Sequence, residues 1–202
     1  MKSDIPVTSL QRLPVYLNYL KSLTSDGYIS SGAIARALGM GEVLVRKDLA
    51  FTSAQGRTRV GYLRTELIAA LEDYLGCNDK KKAVIFGAGE LGKALMSYNG
   101  FSNYGIEIVA AFDNDSAKVG TYVGGKPVFD VESATQKLVE LNPRLAVLCV
   151  PASVAQAVAD TVISCNIKKI LNFAPVLLHV EDGVIVRNID VAANLAILSS
   201  MI

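Results

Sequence analysis

Apolar residues recur at helical spacing through the first quarter of the chain. Leu10, Leu13, Leu17, Leu20 and Leu23 fall three or four apart and predict one buried stripe on a helix. Pro14 suits only the first turns of such a helix. Asp26-Gly27 reads as a turn, after which Ser30 or Ser31 caps a second short helix, SGAIARAL, closed by Gly39. The third segment, GEVLVRKDLAF, is amphipathic: Val43, Leu44 and Leu49 are expected inward, leaving Glu42, Arg46 and Lys47 for another face. TSAQGRTRVGY follows, and its glycines and arginines predict a β-hairpin with a charged tip. Helix, helix, turn, helix, hairpin is the order of a winged helix. A capped helix from Thr65, TELIAALEDYLG, then ends at Gly76.

The pattern changes after the polar stretch CNDKKK, where the domain boundary is placed. Downstream, apolar strands alternate with helical segments: KAVIFG, ELGKALMSY, IEIVAAFD, then LAVLCVP, ASVAQAVADTVISCN and IKKILNF. Such alternation predicts an α/β fold, a parallel sheet with helices on both faces. TYVGGKPVFD has a Gly-Gly turn and predicts a small hairpin on the sheet's flank. The last segment, DVAANLAILSSMI, is apolar on nearly every side and as a helix requires burial all round. The expected organisation is a winged helix over 1–80, a Rossmann-type domain over 81–188 and a separate C-terminal helix over 189–202.

The strand Val84-Ile85-Phe86 runs into Gly87-Ala88-Gly89-Glu90-Leu91-Gly92 and then a helix, which is the context of a dinucleotide fingerprint. Gly87 permits the tight turn, Gly89 lets backbone approach a pyrophosphate, and Gly92 lets helix and strand pack closely. The free N–H groups at the helix start face the phosphates. Asp113 ends the next strand, 21 residues beyond Gly92, near the place of the ribose-binding acid. A carboxylate there repels a 2′-phosphate and favours NAD over NADP, although the nearby cation Lys118 pulls the other way. Pro151, after LAVLCV, sits at a strand's carboxyl end, where open α/β sheets place ligands; a plain turn is the other reading.

Composition narrows the classes further. With 51% hydrophobic and 19% charged residues the chain of 202 residues folds as an ordinary globular protein. MKSDIPVTSL lacks the pattern of a secretory signal, and no apolar run reaches the roughly 20 residues of a membrane span, so a cytoplasmic protein with no membrane partner is expected. Cys77, Cys149 and Cys165 are far apart, with His179 the one possible histidine co-ligand; they read as reduced thiols, two of them in the core, and not as a metal site. A net charge of +1 hides a local excess. Between Gly27 and Arg64, the six cations Arg36, Arg46, Lys47, Arg57, Arg59 and Arg64 face only Glu42 and Asp48, a candidate electrostatic footprint for nucleic acid.

An NAD-dependent enzyme needs a proton donor or acceptor beside the hydride site. His179 lies in the apolar, strand-like run VLLHV, where a structural histidine fits at least as well as a base. The roughly 120 residues left after the first domain hold one Rossmann unit and no substrate domain. The residues therefore favour a regulator over an enzyme. Two alternatives stay open: a small NAD-dependent oxidoreductase, and a DNA-binding regulator that senses another nucleotide such as a CoA derivative.

With these elements in this order, the chain resembles the Rex family of redox-sensing transcriptional repressors over nearly its whole length. Besides GAGELG the likeness rests on Arg12-Leu13-Pro14 with Tyr16 and Leu17, Val45-Arg46-Lys47-Asp48, Tyr98 in SYNGF, AAFD, Val150-Pro151, LNFAP and VRNID. The resemblance implies that Arg46 and Lys47 lie on the recognition helix and Arg57 and Arg59 on the wing. Arginine or lysine in the major groove suits guanine edges, and wing arginines suit a narrow minor groove or phosphates. It implies NAD(H) as cofactor, Tyr98 near the nicotinamide, and double-stranded operator DNA as partner, bound by a homodimer whose final helix crosses into the other protomer. It also implies release from DNA by NADH, with NAD+ compatible with binding. Arg12 matches the family's switch arginine and Asp190 its aspartate at the start of the last helix, an exchanging ion pair; Asp190 also suits an N-cap. The wing departs from the family: Arg57-Thr58-Arg59 stands where Arg-Arg-Gly is usual, and Ser53-Ala54 where Gly-Glu is, so operator preference does not carry over.

Overall fold

The computed structural model describes residues 5–201, which gather into two compact units that divide between Asp79 and Lys80. In the first, α1 (Val7–Ser22), α2 (Ser31–Ala37), α3 (Glu42–Leu49) and α4 (Arg64–Leu75) surround a two-stranded antiparallel sheet of β1 (Tyr28–Ile29) and β2 (Tyr62–Leu63). Leu13, Leu17 and Leu20 of α1 pack in a core with Ile34, Val45, Leu49, Leu67 and Leu71. Ser30 caps α2 by accepting from the Ala33 N–H at 3.1 Å, and left-handed Gly39 follows that helix.

Three local expectations are corrected here. Leu10 is 40% exposed and Leu23 lies beyond the helix end; Tyr16 completes the buried stripe in their place. Pro14 sits well inside α1, which starts at Val7. The carbonyl that loses its donor belongs to Leu10, on the exposed side where water can serve it. In α3 the inward residues are Val45, Asp48 and Leu49, while Val43 and Leu44 are exposed. A charge occupies the inward face, so an apolar pattern alone selects the wrong side.

The segment read as a hairpin contains no pair of strands. A tight turn closes at Arg57–Gly61, and β2 then pairs with β1, over thirty residues upstream. Gly61 is required there: its φ is +100°, and a Cβ would stand 2.4 Å from the Ile29 carbonyl oxygen.

The second unit is a seven-stranded sheet: β3 (Lys81–Phe86), β4 (Ile106–Asp113), β5 (Tyr122–Val123), β6 (Lys126–Asp130), β7 (Leu145–Leu148), β8 (Lys169–Asn172) and β9 (Ile185–Asn188). Their spatial order is β5-β6-β4-β3-β7-β8-β9, parallel throughout except for β5. Without β5 this is the doubly wound order, with its reversal point between β3 and β7. Val84, Phe86, Phe112 and Leu148 face α6 (Ala134–Leu141) and α7 (Ala152–Ser164). Ile85, Ala111 and Val147 face the other way, with Met96 of α5 (Glu90–Ser97). Burial on both faces explains the unbroken apolar runs of the strands. TYVGGKPVFD forms the flanking β5–β6 hairpin.

His179 is not in a strand; it is exposed, and its backbone N–H and carbonyl each bond the Gln156 side chain at 2.9 Å. The three cysteines are free and partly buried, so none reaches the full burial expected of two. After β9, Asp190 caps α8 (Val191–Ser200) by accepting from the Ala193 N–H at 2.8 Å. Every described residue of α8 is exposed, including Leu195, Ile197 and Leu198. Among the described residues no helix is long and apolar enough to cross a membrane.

Candidate functional site

The glycine loop leaves β3 at the reversal point of the sheet, where diverging connections open a crevice at the strands' carboxyl ends. Each glycine answers a different demand. Gly87 has φ +93°, and a Cβ there would meet the Cys149 carbonyl oxygen at 2.6 Å. At Gly92 a Cβ would lie 1.9 Å from the Gly87 carbonyl oxygen, so helix and loop touch through hydrogen alone. Gly89 is the N-cap of α5 and a Cβ there would meet nothing within 4 Å. Its lack of a side chain serves no internal contact and leaves the first N–H groups of α5 open to an anion.

Asp113 is nearly buried at the end of β4. Its two carboxylate oxygens accept from the Ala88 N–H at 2.6 Å and the Asp115 N–H at 2.9 Å, and Lys118 Nζ stands 3.4 Å away. Burial opposes ionisation, but the two backbone donors and Lys118 outweigh it and hold this carboxyl below the ordinary aspartate range. Asp113 thus clamps the glycine loop while keeping lone pairs free for a further donor. Lys118 is tied to Asp113 and Asp115 together.

These residues line a cleft of about 490 Å³ that includes Gly87, Gly89, Asp113, Lys118 and Pro151. Cys149 and Val154 add apolar wall that the fingerprint did not disclose. Phe86 and Phe112, stacked at 4.8 Å, also line it. Burial pushes the Cys149 thiol up to about 11. Of the other candidates, Ala88 is buried, and Glu90, Leu91 and Gly92 lie in the first turn of α5 outside the lining. Tyr98, at the end of α5, is 61% exposed, packs edge-on against Phe101 at 5.2 Å, and is not among the lining residues.

In the first unit, Arg46 and Lys47 are exposed on the outer side of α3, and Arg57 and Arg59 on the turn before β2. Arg57 stacks over the Tyr28 ring at 5.1 Å, which orders its guanidinium without neutralising it. Arg59 has φ +63°, a left-handed conformation that glycine adopts at little cost and arginine does not. Arg64 leaves the electrostatic footprint: it donates to the Leu20 and Leu23 carbonyls and pairs with Asp26, bracing the end of α1.

Arg12 meets Asp48 of α3, with Nε 2.6 Å from Oδ2 and an Nη 2.8 Å from Oδ1. Tyr16 adds its hydroxyl, donating to Oδ2 at 2.6 Å. Burial works against the Asp48 charge, but the bonds from Arg12 and Tyr16 prevail and lower its pKa. The Tyr16 hydroxyl is pushed up to about 12, by burial first and by Asp48 second. Sequence reasoning missed Asp48 as a partner, since its burial depends on a residue 36 positions away. The signal lay in the spacing Val45, Asp48, Leu49.

Residues 4–50 match the family described as putative DNA-binding protein N-terminus, and residues 78–176 the CoA binding domain. The chain is 40% identical over 198 residues to the redox-sensing transcriptional repressor Rex of Bacteroides fragilis, covering 97% of this chain and 90% of that one. Over 203 residues it is 40% identical to the repressor of the same name from Treponema denticola, covering 99% and 97%. Among solved structures it is similar to RSP in complex with β-NAD+ and operator DNA, with a TM-score of 0.92, 30% identity, and 99% and 93% of the two chains covered. RSP in complex with β-NADH gives 0.88, also at 30% identity, with 99% and 95% covered.

Proposed function

This chain belongs to the Rex family of redox-sensing transcriptional repressors, and on that premise we propose that it binds operator DNA through its first unit, holds NAD(H) in the cleft of its second, and leaves the operator when NADH is bound. The observation that carries this reading is the cleft itself. An open α5 N-terminus beside Gly89 faces the same space as an ionised Asp113, so one end suits a pyrophosphate and the other a ribose hydroxyl. The dinucleotide would lie on Gly87, Gly89, Asp113 and Pro151, with its nicotinamide supplying only the difference between two redox states.

Arg46 and Lys47 on α3 are assigned to the major groove, and Arg57 and Arg59 to the wing. DNA binding belongs to residues 1–80, nucleotide binding to 81–188 and self-association to 189–202. The wholly exposed α8 supports a homodimer, because a helix with Leu195, Ile197 and Leu198 all in water buries that surface on assembly. Arg12 and Asp190 are retained as a switch pair; each has a resident role, on Asp48 and as N-cap of α8, so a switch would exchange partners.

We read the protein as a cytoplasmic regulator without turnover. The titratable groups on the cleft wall support this: Lys118 is tied to Asp113 and Asp115, Asp113 is held ionised, and the Cys149 thiol stays protonated. The CoA-binding description of residues 78–176 favours a second ligand class, which the same experiment separates. Operator affinity is measured by fluorescence anisotropy with NAD+, NADH or coenzyme A present, over a range of salt. The proposal expects a steep salt dependence and a larger loss of affinity with NADH than with either other ligand. Equal effects of NADH and NAD+ overturn it.

A further inference from the structure

Beyond the strands' ends, a row of backbone hydrogen bonds continues along the carboxyl edge of the second unit. Gly87 N donates to Phe112 O at 2.8 Å, Cys149 N to Phe86 O at 2.7 Å, Phe173 N to Leu148 O at 2.9 Å and Ile189 N to Asn172 O at 2.8 Å. Each step joins neighbours in the order β4, β3, β7, β8, β9. The row begins in the glycine loop and ends one residue before Asp190, the N-cap of α8.

At its far end stands Asn172, a polar side chain with no exposure. Its Oδ1 accepts from the Ala174 N–H at 3.0 Å. Its Nδ2 lies 3.2 Å from the Ala174 carbonyl, 2.9 Å from that of Val176 and 2.9 Å from Asn188 Oδ1. One donor and three acceptors fix which way the amide points. The side chain therefore holds the turn after β8 and, through Asn188, the end of β9. An apolar residue would leave those groups unpaired in a buried place.

The root of α8 matters because every described residue of the helix beyond it is exposed. A ten-residue helix is about 15 Å long, so a tilt of roughly 10° at its root moves the far end by some 2.5 Å, roughly half a helical turn. We propose that Asn172 is a positioning residue of the sensor: by locking the exit of β8 to the exit of β9 through Asn188, it transmits the state of the nucleotide cleft to the direction of α8. This rests on the reading of the cleft as an NAD(H) site and of α8 as the contact between protomers.

The test uses the full-length protein and two separate readouts: nucleotide affinity by calorimetry, and the ratio of operator affinities in saturating NAD+ and saturating NADH. Asn188→Ala removes only the link between the two strand exits, at an exposed position, and so does not threaten folding; Asn172→Ser removes the whole clasp. In the unaltered protein the ratio is expected at about 5- to 150-fold, the usual range of coupling. In both variants it falls toward unity while each nucleotide's affinity stays within about twofold. A ratio unchanged in Asn188→Ala overturns the proposal. So does a parallel collapse of nucleotide binding, which would make the clasp part of the cleft. Indifference of the unaltered protein to the two nucleotides sinks the underlying reading as well, and is seen before any substitution is made.

Discussion

A carboxylate with 1% of its side chain exposed stays ionised only while its partners stay in place, and Asp48 has two of them on one neighbouring helix. Removing it leaves the Tyr16 hydroxyl without its acceptor and Arg12 with Ser9 as its remaining bond, so Asp48→Ala should cost about 3 kcal/mol in denaturant unfolding. Its pKa is lower in the folded state than in the unfolded chain. Its contribution is therefore full above about pH 4 and is lost as pH falls through the folded value, because below pH 4 the unfolded chain binds the extra proton first. Unfolding followed from pH 7 to 2 should show a steeper acid loss in the parent than in Asp48→Asn. Arg59 works in the opposite sense. Its left-handed backbone costs about 1 kcal/mol or more, so Arg59→Gly should raise the melting temperature. The same change should weaken DNA binding and reduce the slope of log affinity against log salt by about one. A variant that lost stability would remove the strain argument. Residue identities were legible at Arg59, where the departure from the family's glycine stood out. At Asp48 the spacing with Val45 and Leu49 marked an inward position, but not the cation on another helix that pairs with it.

Among the elements, the glycine loop and α5 were readable because three constraints fall within six residues: a tight turn, a close packing contact and an open helix end. They also separate by experiment. Gly92→Ala places a methyl against the Gly87 carbonyl and should destabilise the second unit by about 1 to 3 kcal/mol. Gly89→Ala meets only open space within the protein, so the melting temperature without nucleotide should hold while the upward shift given by NADH disappears. An undiminished shift in Gly89→Ala would place the pyrophosphate elsewhere. Parallel strands were legible as apolar runs, and the flanking hairpin through Gly124-Gly125. The turn at Arg57–Gly61 misled because β1 and β2 are two residues each and pair across more than thirty positions, which short-range alternation cannot register. The leucine spacing of α1 likewise marked a stripe but not its centre, which Tyr16 and Leu17 occupy.

For the molecule as a whole, a net charge of +1 says little, since the cations proposed for DNA are gathered in one unit, where Arg12 and Arg64 are spent on internal bonds. The apolar final helix carries the proposed assembly, since every described residue of α8 is exposed. Leu195→Glu should convert the proposed dimer to monomers in sedimentation equilibrium and weaken operator binding while the monomer remains folded, since the residue is 62% exposed in its own chain. A dimer that survives this change would move the interface elsewhere. The thiol on the cleft wall has a consequence of its own. With its pKa near 11, Cys149 is a thiolate in only about one molecule in ten thousand at neutral pH. Peroxide and electrophiles find almost no nucleophile at this position, so a nucleotide sensor built on this cleft would keep no covalent record at Cys149.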